Sequence, residues 1–142
     1  MKISAILATK GMNVITVHPE QSLGEAVALL SRHNIGAVVV VDSANRPVGI
    51  LSERDIVRKV AEKHAVFSAP ISQVMTRKLV TGTPHDEVHS VLQTMTDRRF
   101  RHLPVVEEGK LVGIVSIGDL VKAQLNEYKG EIDTLQTQIS KG

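Results

Sequence analysis

The sequence has no cysteine, no long apolar run and no marked excess of either charge. Without cysteine the chain makes no disulfide, thiolate metal site or cysteine nucleophile, which suits a reducing cytoplasmic environment. The longest apolar stretches are the size of Ala37–Val41, far short of the ~20 residues that span a membrane. The 17 basic and 15 acidic residues leave a formal charge of +2, too little to argue for nucleic-acid binding. We therefore expect a cytoplasmic protein without a membrane segment.

The composition is that of an ordinary globular protein. The 142 residues are 42% hydrophobic, with a mean hydropathy of +0.03. At roughly 150 residues per domain, this length indicates one unit, and such a unit buries about 68–70% of the surface of its unfolded chain. The composition thus predicts a single packed body with a real core.

A repeat runs through most of the chain. Residues 16–41 align with residues 81–106, and after a one-residue deletion residues 48–55 align with residues 112–119. Strict identity between the copies is modest, but the positions of apolar, glycine, serine and aspartate residues are kept. A duplicated unit of this length indicates two similar supersecondary structures in series.

Each copy begins with a short helical lead-in, Ile3–Leu7 in the first and Ile71–Met75 in the second. We divide the chain into repeat 1, residues 1–70, and repeat 2, residues 71–142. A single copy of this size buries only about 60% of its surface, so we expect the two copies to pack together as one module.

The first copy predicts a strand, a helix, two strands and a second helix. Val14–Val17 is a short β-branched run that ends at a turn, and Ser22 with Glu25 forms a capping-box pattern ahead of a helix. Two aliphatic strands and another helix follow, at Ala37–Val41, at Val48–Leu51 and from Ser52 onward.

The second copy repeats this order. Its expected elements are a strand around Leu79–Thr81, a helix from about His85 to Arg98, a hairpin turning at Glu107–Lys110 and a helix from about Ser116. The predicted fold class is therefore α/β (α+β), with two β-α-β-β-α repeats packed together and an extended C-terminal helix.

The last helix continues beyond its repeat with a heptad pattern of apolar residues. The pattern consists of Val121, Leu125, Tyr128, Ile132, Leu135 and Ile139. Such a stripe either packs on its own body or contacts a second subunit, and we favour the second subunit. Gly130 lies beside the stripe, and a glycine there lowers the stability of the helix by about 1 kcal/mol relative to alanine.

Both copies end with the pattern Gly, two apolar residues, Ser, two residues and Asp. In the first copy this is residues 49–55, in the second residues 113–119, each after paired aliphatic strands. The ordered duplication resembles the tandem cystathionine-β-synthase (CBS) domain pair over nearly the whole chain, from Ile3 to about Val121. Each motif alone is weak, whereas their duplication in order is specific.

The resemblance implies a stand-alone regulatory module rather than an enzyme. Proteins of this family bind adenosine-containing ligands such as AMP, ADP, ATP, NAD or S-adenosylmethionine in clefts between the copies, and they usually pair into flat dimers. We therefore expect AMP above all as ligand, with NAD or ATP possible, a homodimer, and a regulated protein partner. No catalytic cofactor is expected.

The repeated Ser and Asp residues are the first candidates for the ligand site. Ser52 with Asp55, and Ser116 with Asp119, can simply cap the helices that they begin. A helix start also offers N–H donors to a phosphate, and a carboxylate can accept hydrogen bonds from ribose hydroxyls. Both roles can coexist, and we expect Asp55 and Asp119 to contact ribose.

Charged residues near these helix starts are candidates for binding a phosphate group. Arg54 follows the first cap, whereas Gly118 stands at the equivalent place in the second. Arg101 and His102 in the second copy occupy the positions of Gly36 and Ala37 in the first. We expect these cations near phosphate, although solvated edge residues would give the same pattern, and we expect the two clefts to be inequivalent.

The remaining candidates lie on the strands. We expect the adenine near Ile35, Gly36 and Ala37 in one cleft and near Leu103 and Pro104 in the other, where Pro104 indicates an edge or bulged strand. The repeated Thr16 and Thr81 are either ordinary strand residues or hydroxyl donors to ribose or phosphate. Because aromatic residues are only 2% of the chain, we expect aliphatic walls around the base.

Other functions have less support. His85 and His89 stand four residues apart, but Asp86 replaces the glutamate of the zincin pattern, so no metal site is expected. No glycine-rich phosphate loop, nucleophile elbow or aromatic stacking platform is present, which disfavours enzymes and nucleic-acid binding. The alternative from a different class is a protein-interaction scaffold that uses the C-terminal helix and keeps vestigial clefts.

Overall fold

The computed structural model describes residues 1–11, 14–63 and 66–141, apart from the side chains of 138–141. Within these ranges the helices are α1 (Ile3–Lys10), α2 (Leu23–His33), α3 (Glu53–Glu62), α4 (Val88–Arg98) and α5 (Ile117–Lys141). The strands are β1 (Thr16–Val17), β2 (Ala37–Val41), β3 (Pro47–Ser52), β4 (His102–Glu107) and β5 (Lys110–Ser116). This mixture of helices and small sheets confirms the predicted fold class.

Two small sheets form, one in each half. In the first, β1 lies parallel to β2, and β2 lies antiparallel to β3. Every residue of β2 is buried, because a continuous aliphatic strand needs cover on both faces. The second sheet is the antiparallel pair β4 and β5. Its hairpin turns at Glu108 and Gly109, within the predicted turn at Glu107–Lys110, and both residues are at positive φ.

The strand expected around Leu79–Thr81 is not formed. Residues 77–81 are irregular, and pairing with the second sheet is a single parallel bridge between Gly82 and Val105. The reason is that Thr76 is hydrogen-bonded to Ile50 of the first sheet, whereas Gly82 is bonded to the second. The segment between them crosses from one sheet to the other and therefore cannot follow either ladder.

The helix α4 begins at Val88 rather than at about His85. The side chain of Asp86 accepts hydrogen bonds from the backbone N–H and the hydroxyl of Thr83, which closes a turn before the helix. The carbonyls of Pro84 and Asp86 accept the backbone N–H groups of Ser4 and Ile3. Residues 84–87 are thus engaged by the N-terminal segment.

The two lead-in segments pack on opposite halves. The helix α1 contributes Ile3, Ile6 and Leu7 to the core formed by α4, α5, β4 and β5 of the second half. The expected helix at Ile71–Met75 is only a 3₁₀ turn, Ile71–Gln73, and it packs in the core of the first half. The core of each half is therefore completed by the lead-in segment of the other repeat.

A third apolar cluster joins the two sheets. Val39 and Val41 of β2 pack against Leu111 of β5, with Ile114 beside them. Across the same contact the Asn45 side chain donates to the Leu111 carbonyl, and the Leu111 N–H donates to the Asn45 carbonyl. This contact holds the strands of the two halves together and leaves a groove at the start of α3.

Candidate functional site

A cleft of about 530 Å³ lies between the two halves. The first half supplies its floor through the end of β3 and the start of α3. The second half supplies the crossing segment after Thr76, the end of α4 and the start of β4. The cleft therefore lies where the chain passes from one sheet to the other.

The start of α3 carries a complete capping box. The Ser52 hydroxyl accepts from the Asp55 backbone N–H at 3.3 Å, and the Asp55 carboxylate accepts from the Ser52 backbone N–H at 3.0 Å. The capping role expected for this pair is confirmed. The matching Ser22 and Glu25 pair is only partly realised, because Ser22 accepts from the Glu25 N–H while the Glu25 carboxylate accepts from Gln21.

The carboxylate of Asp55 keeps room for a ligand. Its Oδ2 atom accepts from the backbone N–H and hydroxyl of Ser52, and its Oδ1 atom accepts from the Thr76 hydroxyl at 3.1 Å. A carboxylate offers about four lone-pair sites. Hydrogen bonds from the described residues use three, so one acceptor position on the Oδ1 side can receive a ligand hydroxyl.

The backbone donors of this helix start are mostly engaged within the protein. The Ser52 and Asp55 N–H groups bind within the capping box, and the Glu53 N–H donates to the Gly36 carbonyl at 3.0 Å. Three of the first four N–H groups are thus committed. Charged side chains, rather than the helix terminus, must supply most of the attraction for an anion here.

Cationic side chains surround the cleft. They come from α3, from the crossing segment and from the turn after α4: Arg54, Arg58, Lys78, Arg98, Arg99 and Arg101. Among the described residues that line the cleft, the acidic ones are Glu53 and Asp55, which leaves an excess of four positive charges there in a chain whose net charge is +2. The cleft therefore attracts anions, because walls of one charge sign concentrate the field.

His102 is a partly buried residue that lines this cleft. Burial lowers the pKa of its imidazole below the usual value, and Lys10 adds to that effect, while Asp119 and Glu53 oppose it. The ring is therefore neutral near pH 7 and carries one N–H donor instead of a positive charge. In that state it can offer a hydrogen bond to an anion but no positive charge.

We expect stability to fall when the pH drops below about 6.5, the ordinary pKa of histidine. The unfolded chain then binds a proton that the folded His102 takes up only at lower pH, so protonation favours unfolding. The His102→Gln variant should lose less stability than the natural chain between pH 7.5 and 5.5. Urea denaturation at both pH values measures this difference, and equal losses in the two proteins would contradict the expectation.

The cleft brings together seven of the residues proposed from the sequence. These are Gly36, Ser52, Arg54, Asp55, Arg101, His102 and Pro104. Pro104 lies beside a bulge in β4, between Val105 and Val106, and its carbonyl accepts from Gly82. One cleft thus collects residues of both repeats.

Other proposed residues lie elsewhere. Thr81 and Leu103 line a separate pocket of about 450 Å³ beside α4. Thr16 pairs with Val39 in the first sheet, and Ala37 is buried opposite Ser52. Ile35 packs partly against the first core.

Ser116 and Asp119 form the same capping arrangement at the start of α5. The Asp119 carboxylate accepts from the Ser116 N–H at 2.8 Å, and the Ser116 hydroxyl accepts from the Asp119 N–H at 3.1 Å. The same carboxylate forms an ion pair of 2.6 Å with Lys10 at the end of α1. Burial opposes ionisation of Asp119, but the hydrogen bonds from Lys10 and Ser116 lower the pKa of its carboxyl group overall.

Several residues that line the cleft were not predicted from the sequence. Arg58 stands one helical turn after Arg54, so the i, i+4 spacing could have revealed it. The basic run at residues 98–101 was also visible in the sequence. Phe100 lines the cleft, so the expectation of purely aliphatic walls was wrong. Thr76 contacts Asp55 from 21 residues away, and no local pattern indicates it.

The described residues contain no group of three or more His, Asp or Glu side chains placed to hold a metal ion. Among the helices of the described ranges, none combines the length and apolar character that crossing a membrane requires.

A family model for the CBS domain matches residues 3–62 and again residues 71–126. The chain belongs to the CBS-domain family. The resemblance found in its two repeats is thereby confirmed, and the cleft described above lies between the two CBS domains.

Known CBS proteins resemble the chain over most of its length. The CBS domain-containing protein YhcV of Bacillus subtilis is 36% identical over 129 residues, which cover 90% of this chain and 91% of the relative. A CBS-domain containing protein from Agrobacterium tumefaciens is 42% identical, and its crystal structure matches with a TM-score of 0.83 over 87% of this chain and 99% of that one.

A solved CBS pair with bound ligands is also similar. The CBS domain pair of protein MJ0100, in complex with 5′-methylthioadenosine and S-adenosyl-L-methionine, is 28% identical with a TM-score of 0.78. The match covers 89% of this chain and 98% of that one. Some CBS pairs of this fold therefore bind adenosine-containing ligands.

Proposed function

We propose that this CBS pair is a non-enzymatic regulatory module that binds an adenine nucleotide in the cleft at the start of α3. The observation that carries the proposal is an open acceptor position on Asp55 in the same cleft as six cationic side chains. A carboxylate receives a ribose hydroxyl, and the cations neutralise phosphate. The absence of cysteine suits action in the cytoplasm.

The charge of the cleft favours a phosphorylated ligand. The related pair MJ0100 holds 5′-methylthioadenosine, which has no phosphate, and S-adenosyl-L-methionine, whose sulfonium is positive. An excess of four positive charges would repel a sulfonium and attract the phosphates of AMP, ATP or NAD. The ligand class proposed for this chain is therefore an adenosine phosphate.

The apolar part of the cleft suits the base. Ile50, Val80, Phe100 and Pro104 line it together, and they offer a mainly apolar enclosure with one aromatic ring. Base and phosphate would then contact residues of both repeats. A ligand that binds one relative angle of the repeats more tightly than another shifts the population towards that angle, and a protein partner can detect the shift.

A thermal-shift panel tests the proposal. AMP, ATP and NAD at 100 times their dissociation constants should each add about 2.7 kcal/mol of stability, or several degrees in Tm. Inorganic triphosphate and cytidine triphosphate serve as controls for charge and for the base. No shift with any adenosine phosphate at millimolar concentration, or an equal shift with inorganic triphosphate, would contradict the proposal.

We further propose that two copies pair through the apolar stripe of α5. Five large side chains of the stripe are 40–62% exposed on one chain: Val121, Leu125, Tyr128, Ile132 and Leu135. The sixth, Ile139, has a side chain outside the described residues. In the heptad register that places these five at positions a and d, Lys122 and Lys129 lie at e and Glu131 lies at g.

The flanking charges favour a parallel pair of α5 helices. In the two antiparallel registers that overlap most of the five exposed residues, Lys129 lies opposite another lysine, either Lys122 or Lys129 of the second copy. In the parallel arrangement Gln124 faces Lys129, and Glu131 faces Gln136, so no like charges meet. The flanking charges therefore favour a second copy of the chain whose α5 helix runs parallel to the first.

Leu125→Glu and Ile132→Glu should each convert the dimer into a monomer, because a carboxylate at position a or d is buried without a partner. Thr137→Glu, on the outer face of the same helix, should leave the dimer intact. Sedimentation velocity at several concentrations measures the change. A natural chain that sediments as a monomer throughout would contradict the pairing.

The exposed stripe also supports the scaffold alternative, in which α5 binds a protein and the clefts are vestigial. The two functions differ in one outcome. A scaffold loses its association when the chain is truncated after Ala123, while Asp55→Ala changes nothing. The nucleotide module responds to both changes.

A further inference from the structure

The ammonium group of Lys10 lies at the start of α5, which is the repeat equivalent of the start of α3 where the cleft lies. Its Nζ atom is 2.6 Å from Asp119 Oδ2 and 2.9 Å from the carbonyl oxygen of Ile114. Lys10 is the last residue of α1, and that helix is fixed to the second half by Ile3, Ile6 and Leu7. The backbone from which the Lys10 side chain extends is thus set by a packed helix.

Lys10 takes the place that Thr76 has in the other half. At the first site Thr76 donates its N–H to the Ile50 carbonyl at 2.8 Å and its hydroxyl to Asp55 at 3.1 Å. Ile114 and Asp119 are the repeat equivalents of Ile50 and Asp55. At the first site a backbone N–H bonds the carbonyl and a hydroxyl bonds the aspartate. At the second site the single ammonium group of Lys10 makes both of these contacts.

The difference matters because Thr76 is neutral and Lys10 is charged. Asp55 keeps its negative charge uncompensated by Thr76 and accepts further hydrogen bonds readily. Asp119 has its charge neutralised by a direct ion pair, and a ribose hydroxyl would have to compete with an ammonium for its oxygens. Gly118 also stands where the first site has Arg54, so the second site lacks that phosphate partner.

We propose that Lys10 is an internal occupant of the second site, so that the chain binds one nucleotide, at Asp55, instead of two. This inference rests on the proposed function of the first cleft. Lys10 then determines how many nucleotides the chain binds, because it closes one of the two repeat-related sites by satisfying the carboxylate that a ribose would need.

The test is the number of ATP molecules bound per chain, measured by isothermal titration calorimetry on the full chain. The natural protein should bind one, and Asp119→Asn should still bind one. Lys10→Met keeps the aliphatic stem without the ammonium and should bind two, and the second should disappear again in the double variant Lys10→Met/Asp119→Asn. Lys10→Arg, which keeps a cation, and Lys2→Met, in the same segment, should each remain at one.

The outcomes separate this inference from the function on which it rests. No binding of ATP, AMP or NAD by the natural chain would remove the proposed function itself. Two molecules bound by the natural chain, or one bound by Lys10→Met, would overturn the role of Lys10 while leaving the first cleft intact. If Lys10→Met is too unstable to titrate, Lys10→Gln provides the same loss of charge with a polar side chain and the same expected count of two.

Discussion

Replacing Asp55 with alanine should weaken the binding of ATP or AMP by about ten- to a hundredfold. A hydrogen bond to a charged group contributes roughly 1.5–3 kcal/mol, and the carboxylate offers an acceptor position that alanine lacks. The variant also loses the capping box and the Thr76 contact, which costs some stability of α3. Isothermal titration calorimetry of the natural chain and the variant measures the change in Kd.

Two further variants separate the ligand contact from the structural role of Asp55. Asp119→Ala removes the equivalent capping carboxylate at α5 and should leave the affinity of the first cleft unchanged. Asp55→Asn keeps the size and one acceptor atom but removes the charge, so its affinity should lie between those of the natural chain and Asp55→Ala. Equal affinity in Asp55→Ala and the natural chain would mean that the carboxylate does not touch the ligand.

The Leu7→Ala substitution should reduce the free energy of unfolding by about 2–5 kcal/mol. Leu7 is 4% exposed, and its Cδ2 atom lies 2.6 Å from where a side-chain carbon on Gly113 would be, so it fills the space that this glycine leaves. Truncation creates a cavity in the core of the second half. Urea denaturation measures the loss, which is a large part of the 5–15 kcal/mol typical of a whole protein.

The part of the chain that is destabilised by Leu7→Ala tests whether α1 belongs to the core of the second half. Hydrogen exchange in Leu7→Ala should accelerate first in α4 and β5, although Leu7 belongs to repeat 1 of the sequence. Ser4→Ala, an exposed change on the same helix, should alter stability by no more than about 0.5 kcal/mol. Faster exchange confined to α2 and β2 would show that α1 stabilises the first half instead.

Short-range patterns predicted much of this fold. The Ser52 and Asp55 cap depends on contacts within three residues, and the structure forms it. The aliphatic runs of β2 and β3 and the turn at Glu108 and Gly109 are likewise local, because period, propensity and turn geometry act over a few residues.

The features that local patterns missed depend on distant contacts. The crossing segment after Thr76 is irregular because its two ends bond to different sheets. The ion pair between Lys10 and Asp119 joins residues 109 positions apart, so the engagement of Asp119 was invisible in the sequence. Arg98 and Arg99 reach the cleft because α4 ends there with Arg99 in the left-handed region at φ 59.

A crystal structure of the full chain grown with ATP tests the central claim most directly. The account predicts one nucleotide in the cleft between the CBS domains, with a ribose hydroxyl within hydrogen-bond distance of Asp55 Oδ1. Its phosphates should lie among Arg54, Arg58 and Arg101, and its base should lie near Val80 and Phe100. Nucleotide bound elsewhere, or an empty cleft at millimolar ATP with Asp55 bonded only to Ser52 and Thr76, would contradict it.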